Sequence, residues 1–143
     1  MVPSDSEWEE FHSALSGTYG RVEMVVDGYE VAINRRLVGK NALASAVYVN
    51  GQIQGKNFVN YVEGKEVLLP DITRRFYRKT TRYLYKAKQR QEADKSLGKG
   101  LSLKSGFHKR FIMYTAYWNS SALLKRHLLI NNKEIKITEI VGV

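Results

Sequence analysis

Two dipeptides, Asp27-Gly28 and Asn50-Gly51, constrain this chain more than any other feature of it. An Asp-Gly or Asn-Gly pair lets both central residues of a two-residue turn take positive φ, the twist that joins antiparallel strands. Val22, Met24 and Val26 alternate before the first pair, and Tyr29, Val31 and Ile33 alternate after it. The segment "LASAVYVNGQIQGKNFV" repeats the pattern around the second pair. Residues 21–58 therefore read as four antiparallel strands in a β-meander, and the apolar face of such a sheet needs a cover.

Amphipathic helices are the natural cover. Ser4 and Glu7 have the spacing of a capping box, Trp8, Phe11 and Leu15 follow on one helical face, and Gly17 is a stop, which gives an N-terminal helix. After Gly64 and Pro70, Asp71 is placed to cap a long central helix over residues 71–93. There Ile72, Phe76, Thr80, Tyr83, Leu84 and Ala87 recur at spacings of three and four and would face the sheet. "DKSLGKGLSLKSG" reads as a flexible basic loop. "FIMYTAYW" reads as a strand, Ser120 or Ser121 caps a helix over "ALLKRHLLI", and "EIKITEIV" alternates as a last strand. The fold class is α+β: an antiparallel meander with an N-terminal helix, a long basic central helix and a C-terminal strand-helix-strand unit. At 143 residues it forms a single domain, 1–143, able to bury a core of its own.

Charge is the second constraint. "RRFYRKTTRYLYKAKQR", residues 74–90, holds eight Lys and Arg and no acid. Residues 74–110 hold 13 basic residues against Glu92 and Asp94, so one quarter of the chain carries the whole net charge of +9. Charge concentrated in this way attracts polyanions and speeds encounter with them. On the expected helix Arg74, Arg78, Arg82 and Tyr85 form a row, with Arg75 and Lys86 beside it. Three successive like-charge i,i+4 pairs would cost about 1 kcal/mol in sum. Arg binds phosphate through a bidentate fork, and a Tyr ring can stack on a base. The alternative is that Arg stems cover apolar surface with their heads in water while the tyrosines tuck under the sheet.

Catalytic chemistry finds little support. The chain has no Cys, which removes disulfides, thiolate metal sites and a cysteine nucleophile, and accords with a reducing compartment. His12, His108 and His127 stand far apart in sequence, without metal-ligand spacing. His127 is expected near a helix end or on its polar side, and His108 on the basic surface. "LGKGLSLKSG" lacks the spacing of a phosphate-cradling loop, and Glu9-Glu10 and Glu63/Glu66 read as solvated acids. No cofactor or metal is expected. No apolar run is long enough for a signal peptide or a membrane span, and the apolar stripe of the basic helix is needed to cover the sheet, so a cytoplasmic protein without a membrane partner is expected.

"GTYGRVEMVVDGYEV", "VYVNG" and "YWNSSALLKRHLLINN" resemble small proteins of phages and mobile elements. The resemblance spans most of the chain but rests on turns and caps, so it implies origin more than chemistry, with action inside a host cell expected, and transfers no functional residue. Proteins of this type include inhibitors of host defence such as anti-CRISPR proteins, which occupy a nucleoprotein surface or displace its nucleic acid. Many of these are acidic DNA mimics. A chain at +9 departs from that pattern and implies contact with guide RNA, target DNA or an acidic protein face instead.

The sequence thus points to a non-catalytic binding protein whose partner is nucleic acid or a host nucleoprotein, or alternatively an acidic protein surface. The expected contact residues are Arg74, Arg75, Arg78, Arg82, Tyr85 and Lys86 on the helix, with Lys95, Lys99, Lys104, Lys109 and Arg110 in the loop that follows.

Overall fold

The computed structural model describes residues 1–38, 42–53, 61–62, 70–83, 85–107 and 110–142. Helix α1 (Asp5–Ser16) starts at Ser4, whose hydroxyl accepts from the Glu7 amide while the Glu7 carboxylate accepts from the Ser4 amide. Strands β1 (Arg21–Val26) and β2 (Tyr29–Leu37) form a hairpin across Asp27-Gly28, with φ of 46° and 88° at the two turn residues. Strand β3 (Leu43–Val49) pairs antiparallel with β2, and Asn50-Gly51 again takes positive φ. The meander is thus formed over its first three strands. Beyond the second turn Gln52 bridges back to Val49, and the rest of the expected fourth strand lies outside the described residues.

Strand β4 (Tyr61–Val62) belongs to a second sheet. The expected central helix is a correction: residues 71–93 divide into helix α2 (Asp71–Phe76), strand β5 (Arg78–Tyr83) and the first part of helix α3 (Ala87–Leu97). Tyr77 is already extended, at φ −103° and ψ 146°. From there "RKTTRY" has the β-branched and aromatic content of a strand, and its pairing with β6 from Arg78 opposite Thr115 to Tyr83 opposite Arg110 settles the matter. Strand formation also avoids stacking four cations along one helical face. The expected basic loop is likewise corrected, since Lys95 lies in the last turn of α3, Gly98 at φ 79° breaks the helix, and α4 (Lys99–Lys104) follows.

The C-terminal unit has the expected order, with one refinement. "FIMYTAYW" bends at Ala116, so that β6 (Arg110–Thr115) and β7 (Tyr117–Trp118) lie in different sheets. Helix α5 (Ser121–Asn131), capped by the Ser120 hydroxyl on the Leu123 amide, and β8 (Ile135–Val141) complete the chain. The larger sheet has the order β7-β3-β2-β1-β8 and the smaller β4-β6-β5. The protein is α+β with antiparallel sheets.

The core lies between the larger sheet and its helices. Phe11 and Trp8 of α1 and Leu124 and Leu128 of α5 pack on Val22, Met24, Ile33 and Val47. Phe76 and Tyr77, at the α2–β5 junction, are fully buried in the same core, and the Trp118 indole donates to the Phe76 carbonyl at 3.1 Å. That bond satisfies the indole N–H in the apolar interior. Helices α3 and α4 pack chiefly on each other, outside this core. They form the tip of a limb carried by the β5–β6 hairpin. Among the described residues no helix is long and apolar enough to cross a membrane.

Candidate nucleic-acid interface

Breaking the expected helix separates its basic residues into three groups. Those nearest the core are consumed by the fold. Arg75 donates Nε to Asp71 at 2.8 Å, Nη1 to the Asn132 side chain at 3.1 Å, and Nη1 also to Asp27. Its side chain is only 20% exposed and that of Asp27 15%. Asp27 in turn accepts from the Lys133 and Glu134 amides at 2.9 and 2.8 Å, and Asp71 accepts from the Tyr29 hydroxyl at 2.6 Å. Arg75 therefore ties the β1–β2 turn and α2 to the connection between α5 and β8. The backbone donors of Lys133 and Glu134 hold the Asp27 carboxyl below the usual carboxylate range, with Arg75 adding to them. The Tyr29 hydroxyl first, then Arg75, lower Asp71 to about 2. Arg75, expected at the interface, faces inward. Arg74, at the other side of α2, makes one exposed ion pair with Asp71 at 2.7 Å.

The second group stands at the base of the limb. Arg78 is half-buried and donates Nε to the Tyr117 carbonyl at 3.0 Å. Arg82 occupies a β5 position opposite Phe111. Tyr83 is 44% exposed, and the Arg90 guanidinium lies flat over it, Cζ 3.4 Å from the ring centroid, with Arg110 at 5.9 Å. Arg90 Nε is buried without a hydrogen-bond partner, and the contact shown for this cation is its stacking on Tyr83. Tyr85, expected to offer a free ring, packs at 4.9 Å on Phe107 and closes the helical tip onto the turn after α4.

The third group is the exposed surface of the tip. Lys86, Lys88, Lys95, Lys99 and Lys104 are all exposed, as is Lys79 on β5. None belongs to the ion pairs found among the described residues, which are Arg21–Glu23, Arg74–Asp71, Arg75–Asp27 and Arg75–Asp71. Glu92 falls four residues after Lys88 and three before Lys95, a spacing that partly balances that helical face. Lys109, with His108, lies outside the described residues. Sequence reasoning passed over Lys79, Lys88 and Arg90. Their signal was present in the same basic run, but the single helical row expected there did not include them.

The remaining histidines are structural neighbours. His127 contacts the Trp118 ring at 5.1 Å and donates Nε2 to the Arg74 carbonyl at 3.1 Å, and burial lowers its pKa. It stands within α5 against the core in place of the expected cationic helix end. His12 meets the Ser121 hydroxyl at 2.8 Å. Among the described residues no three His, Asp or Glu side chains are grouped to hold a metal ion. No protein-family model, curated protein or solved structure matches this chain.

Arg75→Gln should lower folding stability by about 3 kcal/mol, because it leaves Asp27 charged and mostly buried without its cation. Arg74→Gln, which breaks an exposed pair, should stay within about 1 kcal/mol of wild type. Denaturant unfolding of the two variants side by side measures the contrast. The depressed carboxyls also set an acid limit. Their stabilisation is fully present above the unfolded Asp value near 4 and is lost as pH falls toward the folded value of about 2 for Asp71. Thermal melts from pH 5 to pH 2 should show this loss, and a flatter profile in Arg75→Gln.

Proposed function

We propose that this protein binds a nucleic-acid backbone, free or within a nucleoprotein, through the limb formed by β5, α3 and α4, and that it performs no chemistry of its own. The observation that carries this reading is the partition of cations by the fold. Arg75 is neutralised inside the clamp, whereas the lysines of the limb stay exposed and outside every ion pair among the described residues. Uncompensated cations on an element outside the core repel one another, and a chain of phosphates relieves that repulsion while releasing its own counterions. Arg74 and Arg78 extend the surface toward the larger sheet. A role as an inhibitor of host defence, engaging guide RNA or target DNA, accords with this mode of binding and belongs to the same proposal.

A second reading has one observation in its favour. Leu97, Leu101 and Leu103 are 41%, 52% and 55% exposed beside Lys99 and Lys104, a mixture that also suits an acidic protein face with apolar contacts. Nuclease treatment of material co-purified from a cell lysate separates the two, since only a nucleic-acid partner is lost.

Binding of labelled single-stranded DNA, duplex DNA and structured RNA should be measurable at about 50 mM salt and should weaken steeply as salt rises. Replacing Lys86, Lys88 and Lys95 together with Gln should weaken binding about tenfold or more, and should reduce the slope of log K against log salt by about 2 on a single strand, at unchanged melting temperature. Glu92→Gln should shift affinity the opposite way. Absence of binding to all three nucleic acids at low salt would overturn the reading.

A further inference from the structure

The bend at Ala116 lets one continuous segment serve both sheets, and the sheets part on either side of it. The result is a cleft of about 490 Å³ between the end of the β2–β3 hairpin and the β5–β6 hairpin. We propose that this cleft is a binding site for a phosphate ester, with the guanidiniums of Arg36 and Arg78 on the phosphate oxygens.

Both arginines are positioned through Tyr117. Arg36, opposite Ala44 on β2, donates Nη1 to the Tyr48 hydroxyl at 3.0 Å and lies with Cζ 5.9 Å from the Tyr117 ring centroid. Arg78 enters from β5 and donates Nε to the Tyr117 carbonyl. Each bond fixes a guanidinium by one nitrogen and leaves its others without a hydrogen-bond partner among the described residues. Among the described residues no carboxylate lines the cleft. Two cations brought to one residue without an acid between them repel, and an anion with several oxygens resolves that repulsion while matching two forks at once. The Thr115 hydroxyl accepts from the Tyr117 amide at 3.2 Å and keeps its own proton to donate, and Asn119 stands exposed at the rim. Leu37 and Val38, which also line the cleft, are 63% and 40% exposed. Such an apolar wall has no use for inorganic phosphate but suits the organic part of an ester.

The chemistry rests on the cleft alone. Only the source of the ester, a free nucleotide or the phosphorylated end of a single strand, depends on the backbone-binding proposal, since Arg78 begins the strand that leads into the limb. The probes are adenosine monophosphate and one short single strand carrying either a 5′-phosphate or a 5′-hydroxyl, titrated calorimetrically against wild type, Arg36→Gln, Arg36→Lys and Asn119→Asp. Arg36 and Asn119 are both exposed, so neither position endangers folding, and the melting temperature of each variant confirms it.

If the strand end is the source, wild type should prefer the 5′-phosphate over the 5′-hydroxyl by about tenfold, Arg36→Gln and Asn119→Asp should abolish the preference, and Arg36→Lys should fall between. If a free nucleotide is the source, the monophosphate should bind and the same variants should lose it. The proposal is overturned if wild type neither binds the monophosphate nor prefers the 5′-phosphate, or if Arg36→Gln and Asn119→Asp behave as wild type. The Lys86/Lys88/Lys95→Gln protein keeps the two proposals apart. Weakening of both strands in that protein, with no effect of Arg36→Gln, would leave backbone binding standing and the cleft refuted.

Discussion

An ion-paired clamp around Arg75 ties together the first hairpin turn, α2 and the connection between α5 and β8. A guanidinium has five donors in a fixed plane, and here they meet carboxylates from two places and a side-chain amide from a third: Asp27 in the first hairpin turn, Asp71 at the start of α2, and Asn132 after α5. Asn132 returns the contact by donating to the Arg75 and Leu128 carbonyls at 3.3 and 3.0 Å. Helix α2 ends one residue beyond Arg75, at Phe76, and there Phe76 and Tyr77 enter the core before β5 begins at Arg78. A mostly buried pair of this kind contributes little net stability against an apolar replacement, but it penalises any arrangement that leaves one partner behind. Its value here is in placing α2, the first hairpin and the C-terminal strand relative to one another.

From that fixed point the chain separates the uses of its positive charge. Arg75 is spent on the fold and Arg74 half so. Arg78 is anchored by its Nε at the mouth of the inter-sheet cleft, and Arg90 and Arg110 are arranged about Tyr83. The lysines of α3 and α4 stand outside the core altogether. Short-range, geometrically defined arginines at the base and flexible lysines at the tip divide positioning from long-range attraction, because a fork orients its ligand and a solvated ammonium mainly supplies field.

Much of the fold was legible because it rested on local rules. Asp27-Gly28, Asn50-Gly51 and the Ser4/Glu7 box each determine their geometry within a few residues, and the structure carries all three. Residues 71–93 were misread because Phe76, Thr80 and Tyr83 recur at helical spacing, while Lys79, Thr81 and Tyr83 also alternate as in a strand. Pairing with β6, some thirty residues on, decides between the two periods, and no local pattern contains it. The candidate site was legible as a charge excess and illegible as individual roles. Arg74 and Arg75 are adjacent and alike in sequence, and only the approach of Asp27, 48 residues earlier, makes one of them structural. Arg36 gave no signal, since it lies outside the basic run and gains meaning only when β7 brings Tyr117 beside it.

Hydrogen exchange on the full-length chain, with and without a saturating single-stranded oligonucleotide at low salt, tests the central claim most directly, because it maps the contact without altering a residue. Slowed exchange should be confined to β5, α3 and α4 and to the adjoining end of β2, with α1 and β8 unchanged. Slowing centred on α1 or β8, or no change at any amide, would contradict the assignment of the limb as the binding surface.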